Sequence, residues 1–407
     1  MNQVAVTGIG IVTSIGSDVE TFWLNLLKGQ SGFSDVASFD TRQYRVHRGA
    51  EIKDDKWTRG VLHQEDYVLG RATQLALAAS RMALLDAGLD EERLDPGRTG
   101  IIMGTTSGEP QEIERFNDLY LAQGLDRLGS RFTNSYPCNH IPGFVATRLG
   151  LYGGGGPLML PVACAAGNYA ISHAFDSLRA QEADVMLAGG VDAFSRIPYT
   201  GFAGLLAIAP DRCQPFDRNR KGMIPGEGAA MLVLERFECA QKRGARIYAE
   251  IGGYGLACDA FHMTGSDPTG AGAARAMERA LEQSGCTPED VDYISAHGTG
   301  TKSNDLHETI AIKRVFAEQA YYTPVSSVKS MLGHTMGAAS AIEAAVCCLA
   351  ITHGAIPPTM NLEEADPECD LDYVPNEARE HSIQVAMNNA YAFGGTNASL
   401  ILKRSSL

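Results

Sequence analysis

One motif occurs twice in this chain, and it restricts the possible folds more than any other feature. Met82-Ala-Leu-Leu-Asp-Ala-Gly-Leu runs through an acidic stretch into Thr99-Gly-Ile-Ile-Met-Gly-Thr-Thr. Ala280-Leu-Glu-Gln-Ser-Gly-Cys runs through Thr287-Pro-Glu-Asp into Tyr293-Ile-Ser-Ala-His-Gly-Thr-Gly. Each copy reads as a helix, a glycine stop, an acidic turn, an apolar strand and a Gly-Thr loop. The opening Val4-Ala-Val-Thr-Gly-Ile-Gly likewise resembles Ala249-Glu-Ile-Gly-Gly-Tyr-Gly. Short apolar strands also match by chance in α/β chains, but two similar halves meeting near residue 245 point to a duplicated domain. The 407 residues have room for it. The segment Arg236 to Arg246 is charged and lacks a Pro/Ser/Gly tract. Halves 1–245 and 246–407 are therefore expected to share a large interface rather than a linker.

Strand and helix patterns alternate along the chain. Strands are predicted at Val4 to Val12, Thr99 to Met103, Leu158 to Val162 and Asp184 to Leu187. Helices are predicted at Thr21 to Lys28, Leu69 to Ala87 and Ala165 to Arg179. This alternation implies parallel pairing and a layered α/β fold. A net charge of −14 gives no chain-wide attraction to nucleic acid or an anionic membrane. The most apolar run, Ala338 to Ile351, is short for a membrane span and carries Glu343. Nine cysteines without framework spacing, and no charged leader before Val4, fit a cytoplasmic protein with reduced thiols.

Several residues could carry chemistry. Cys164, in Leu160-Pro-Val-Ala-Cys-Ala-Ala-Gly-Asn-Tyr-Ala, stands at a turn from strand to helix. Unpaired N–H groups and the helix dipole there are expected to lower its pKa, although most single cysteines are inert buried thiols. His297, in Ser295-Ala-His-Gly-Thr-Gly-Thr, ends a predicted strand where α/β sheets place their sites; a core histidine bonded to a carbonyl is the bland alternative. His334 lies in Val325-Ser-Ser-Val-Lys-Ser-Met-Leu-Gly-His-Thr-Met-Gly, ahead of a small-residue helix whose N-terminus is expected to keep it neutral. Lys329 ends a predicted strand, and Glu308 could pair with it or be a solvated helix charge. Asn388-Asn-Ala-Tyr-Ala-Phe-Gly-Gly-Thr-Asn could present backbone N–H groups as an oxyanion hole, or be a plain turn. Gly153 to Gly156 lacks the Lys-Ser/Thr of a phosphate loop, and the Cys-x-x-Cys and His-x-x-x-His patterns are absent, so no metal is expected.

Cys164, His297, Lys329 and His334 in this order, with these surroundings, resemble the elongating β-ketoacyl-acyl-carrier-protein synthases, close to the synthase II group. The resemblance extends from Val4 to Asn397 and includes Pro215-Phe-Asp-Arg, Gly226-Glu-Gly-Ala, Asp259-Ala-Phe-His-Met-Thr and Pro357-Pro-Thr-Met-Asn-Leu. It implies a thiolase-like, duplicated fold in α-β-α-β-α layers. It also implies decarboxylative condensation of an acyl chain on Cys164 with malonyl-acyl carrier protein. By motif, His297 and His334 match the donors to the malonyl thioester oxygen, Lys329 the ordering lysine and Glu308 its acidic partner. The backbone N–H groups of Cys164 and Phe393 match the oxyanion hole, the Phe393 side chain the gate, and Thr299 and Thr301 the phosphopantetheine contacts. No metal or soluble cofactor is implied, because pantetheine arrives on the carrier protein. A dimer is expected, either of identical chains or with a chain-length-factor-like subunit.

Three departures bear on the substrate. Ala392 stands where the family usually has Gly, Ala165-Ala-Gly-Asn-Tyr follows the cysteine, and Ser135-Tyr-Pro-Cys-Asn-His differs from housekeeping members. Fatty acid synthesis and polyketide or polyene assembly both remain open. A thiolase is disfavoured because residues 388–397 contain no cysteine, and a non-catalytic chain-length subunit because Cys164 is present.

Overall fold

The computed structural model describes residues 3–89, 94–125 and 136–405. The acidic stretch at 90–93 and Ser135 lie outside the described residues. Ten strands form the main sheet: β1 (Val4–Thr13), β2 (Thr99–Gly104), β3 (Leu158–Leu160), β4 (Val185–Asp192), β5 (Gly228–Arg236), β6 (Ala249–Cys258), β7 (Tyr293–Ser295), β8 (Val325–Ser326), β9 (Val385–Ala392) and β10 (Thr396–Lys403). Their order across the sheet is β8-β7-β9-β10-β6-β1-β5-β4-β2-β3. Adding five to each strand of the first half gives its counterpart in the second, in mirrored order. Pairing types repeat as well. β3, β2 and β4 are mutually parallel while β5 and β1 join antiparallel, and β8, β7, β9, β10 and β6 do the same. Parallel pairing thus covers only the outer three strands of each half. The halves join where β1 pairs with β6 over Val4↔Ile251 to Val6↔Ala249.

Alternation along the strands sets the layers. On β5, Ala230, Leu232 and Leu234 face the central core, while Ala229, Met231 and Val233 face an outer core with helix Arg71–Asp86. On β9 and β10, Ala386, Leu400 and Leu402 face the centre, while Met387 and Ile401 face the outer helices Ala271–Ser284 and Lys302–Phe316. Both faces of each half are covered, so the strands read as continuous apolar runs. Between the halves lie two buried helices, Ala166–Arg179 and Ala339–His353. They touch where Gly167 has no side chain; a Cβ there would sit 2.5 Å from the Ala341 nitrogen. The result is the thiolase-like α-β-α-β-α arrangement. The apolar run is longer than its sequence signature: Met336–His353 reaches 18 residues, of which 89% are buried inside the protein. It is the core helix of the molecule.

β4 also continues past Leu187 to Asp192, through Gly189 and Gly190. Those glycines permit close approach: a Cβ on Gly189 would lie 1.9 Å from the Ala230 carbonyl oxygen.

Candidate active site

Cys164 sits in a tight turn, Ala163–Ala165, between β3 and the central helix that starts at Ala166. Ala163 adopts φ +48°, an uncommon value for a residue with a side chain, and this sharp turn separates strand from helix. The thiol is 7% exposed. Burial pushes its pKa up to about 12, against the pull of the Lys329 charge. The lowered pKa expected from the helix start is therefore overturned: desolvation of a thiolate outweighs the dipole.

His297 follows β7. Its backbone N–H and that of Gly298 donate to the two carboxylate oxygens of Glu308, both at 2.8 Å. His334 is held by its own N–H donating to the Ile224 carbonyl at 2.7 Å. Its ring meets that of His297 edge-on, with centroids 5.5 Å apart. Burial, reinforced by the Lys329 charge, holds both imidazoles well below the usual histidine range, so both are neutral near pH 7. His334 stands two residues before the 3-10 turn Met336–Ala338, which leads into the helix Ala339–His353. Desolvation and a nearby cation keep it uncharged, and the N–H of Met336 at the start of that turn donates to its ring.

Lys329 opens the short helix Lys329–Leu332 and is fully buried. Its ammonium donates to Glu343, whose pKa burial pushes up to about 7 against the pull of Lys329. Glu308 was expected to be that partner. Instead its carboxylate is committed to the two backbone amides after β7, and burial pushes it up to about 8. Glu343 was missed, although a lone acid in an apolar run was its visible signal.

The loop after β9 is tied down rather than free. The Gly394 N–H donates to the Met263 carbonyl at 2.8 Å, and the Asp259 N–H to the Gly395 carbonyl at 2.8 Å. Phe393 remains 42% exposed, its ring 5.7 Å from Phe202. One pocket brings together Cys164, His297, His334, Thr299, Thr301 and Phe393. The two threonine hydroxyls lie 2.8 Å apart on its wall. Tyr391, also on that wall, was not anticipated. Its ring meets His297 at 5.8 Å, and its buried hydroxyl has no hydrogen-bond partner among the described residues.

The sulfur and one nitrogen from each histidine lie within 4.8 Å of one another, a spacing that a metal ion could use. The hydrogen bonding does not fit a metal at His334 Nε2. The Met336 N–H donates to Nδ1 at 3.1 Å, so the neutral ring carries its own proton on Nε2. Ligation through Nε2 would move that proton onto Nδ1, against a donor already there. The triad offers a thiol and an N–H donor instead.

Most of the arginines along 42–71 and 218–220 are neutralised by ion pairs. Arg42, Arg48, Arg59, Arg71, Arg218 and Arg220 pair with acids, and Arg220 is buried against Asp366. Arg45 and Lys221 have no ion pair among the described residues.

Comparison with known proteins agrees with this geometry. Residues 1–240 match the family model "Beta-ketoacyl synthase, N-terminal domain", and residues 248–363 match "Beta-ketoacyl synthase, C-terminal domain". The chain is 38% identical to 3-oxoacyl-[acyl-carrier-protein] synthase 2 of Synechocystis sp., covering 99% of this chain and 98% of that protein. The Staphylococcus aureus protein of the same name is 39% identical with the same coverage. Among solved structures, the ishigamide ketosynthase/chain length factor superposes with a TM-score of 0.94 at 42% identity over all of both chains. A ketosynthase in complex with a type II PKS acyl-carrier protein gives 0.91 at 32%, again over all of both chains. The chain belongs to the β-ketoacyl synthase family.

Proposed function

We propose that this protein catalyses decarboxylative condensation between an acyl chain on Cys164 and malonyl-acyl carrier protein, giving β-ketoacyl-acyl carrier protein and carbon dioxide. The observation that carries this reading is one pocket in which a thiol faces two neutral histidines, one of them fixed as an Nε2–H donor.

In the first half-reaction the Cys164 sulfur attacks the acyl thioester. Negative charge develops on the carbonyl oxygen, where the backbone N–H groups of Cys164 and Phe393 serve as donors. The pantetheine thiol leaves carrying the proton. Lys329 lowers the cost of the transient thiolate. In the second, malonyl-carrier protein enters with its pantetheine along Thr299 and Thr301. The bond to the carboxylate breaks, and its electrons move onto the thioester oxygen. His297 and His334 donate to that oxygen, each contributing roughly 10²–10³-fold. The enolate carbon then attacks the acyl-Cys164 thioester and expels the sulfur. The reaction runs without metal or soluble cofactor. Phe393, exposed at the pocket mouth, gates the two steps.

We read residues 1–245 and 246–407 as the duplicated halves, supported by the strand correspondence. The partner is an acyl carrier protein, supported by the names of the synthase relatives and the carrier-protein complex of a neighbour. The exposed apolar residues Leu119, Leu121, Leu125 and Tyr152 favour a dimer. The second chain is identical or a chain-length-factor-like subunit, as in the ishigamide neighbour. Nine free thiols favour the cytoplasm. Intact mass after incubation with acyl-carrier proteins tests this function, together with carbon dioxide release from malonyl-carrier protein. Absence of both acylation and release would rule it out.

A further inference from the structure

Asp192, the last residue of β4, is a carboxylate 1% exposed at a junction of three segments. It accepts four hydrogen bonds. Three come from the loop after β2: the Thr105 hydroxyl at 2.9 Å, the Thr106 N–H at 2.7 Å and the Ser107 N–H at 2.9 Å. The fourth comes from the Gly337 N–H at 2.6 Å, in the turn that follows His334.

These segments are packed too closely to admit side chains. A Cβ on Gly337 would lie 2.5 Å from the Thr105 carbonyl carbon, and one on Gly190 would lie 2.4 Å from the Gly337 oxygen. On the other side, a Cβ on Gly104 would lie 2.3 Å from the carbonyl carbon of Ala166, the residue two after Cys164. The loop 104–107 is thus wedged between the turn bearing Cys164 and the turn bearing His334. Within the second turn Met336 takes φ +53°, and two consecutive amides have separate partners. The Met336 N–H is given to the His334 ring, and the Gly337 N–H to Asp192.

We propose that Asp192 is a positioning residue: from the first half of the chain it fixes the turn that sets His334 as an Nε2–H donor and holds it in register with Cys164. Its effect runs through His334, so it serves the decarboxylation step rather than acylation. The chemistry of the residue supports this. Burial pushes the group up to about 6, and a buried charge is weak evidence for stability alone. A carboxylate has lone pairs for all four donors, whereas an asparagine would turn its NH₂ against some of them.

The inference rests on the condensing-enzyme reading, but one of its tests needs no substrate. Compare wild type with Asp192→Asn for Cys164 acylation, for carbon dioxide release from malonyl-carrier protein, and for the imidazole ¹⁵N shifts of the histidine-labelled protein. Acylation is expected to stay within about threefold and decarboxylation to fall at least about 30-fold. The His334 shifts should move from a single Nε2–H tautomer to a mixture. Equal loss of both half-reactions, or an unchanged tautomer, would overturn the proposal. Should Asp192→Asn not fold, Thr105→Val decides, since it removes one donor and leaves three. A selective decarboxylation loss of about 3–10-fold supports the role, and an equal or absent effect contradicts it. Failure of the condensing-enzyme reading would show separately, as a wild type that is never acylated.

Discussion

The backbone N–H of Met336 donates to Nδ1 of His334 at 3.1 Å, and this contact turns a buried histidine into a fixed donor. The proton left on Nε2 makes the ring a donor in the pocket that also holds Cys164. In the proposed reaction it serves the malonyl thioester oxygen, on which enolate charge develops. His334→Ala is therefore expected to leave Cys164 acylation intact and to reduce malonyl decarboxylation by about 10²–10³-fold. Single-turnover acylation and carbon dioxide release, measured separately, check this. Equal loss of both would mean that the ring serves packing rather than charge.

The same burial gives a pH signature. In the unfolded chain His334 titrates near 6.5, whereas in the folded protein its pKa is well below that. Below pH 6.5 the unfolded state binds the extra proton, so the stability associated with the neutral ring is full above 6.5 and falls as pH is lowered. His334→Gln removes the titration. Urea unfolding of both proteins at pH 7.5 and 5.5 should show wild type losing about 1.4 kcal/mol relative to the variant. A pH-independent difference would mean that the folded histidine titrates normally.

Much of the fold was legible because the halves repeat. The copies Thr99-Gly-Ile-Ile and Tyr293-Ile-Ser-Ala became β2 and β7, which occupy matching places in the sheet. The end of β4 was missed because Gly189 and Gly190 resemble a strand stop, and only tertiary packing shows that they allow close approach. In the site, Cys164, His297, His334 and Lys329 could each be seen locally, and the fold gathers them. The partner of Lys329 could not be read the same way. Glu308 and Glu343 are both acids on helices, and only the arrangement of helix Ala339–His353 beneath the site selects Glu343. The Cys164 pKa was misjudged because its helix position is written in the sequence and its desolvation is not.

The Lys329–Glu343 pair makes its own prediction. Lys329→Met would leave Glu343 buried without its cation, a type of change that costs about 3–5 kcal/mol. It also removes a charge that depresses both histidines, so their pKa values should rise, though burial still holds them low. Denaturant titration and histidine NMR report the two effects. Unchanged histidine titration would place the lysine charge outside their environment.

Tyr391 offers a contrast. Its hydroxyl is buried without a partner, and such a group carries a desolvation penalty of about 1–3 kcal/mol. Tyr391→Phe keeps the ring against His297 and is expected to be neutral or stabilising by about 1 kcal/mol in urea unfolding. A loss of more than about 1 kcal/mol would mean that the hydroxyl is satisfied in solution.

Cys164 as acyl acceptor is tested most directly by intact mass spectrometry after incubation with a panel of acyl-acyl carrier proteins. Wild type should gain the mass of one acyl group per chain, and Cys164→Ala should gain none. Acylation of Cys164→Ala at a wild-type rate would contradict the assignment of the nucleophile.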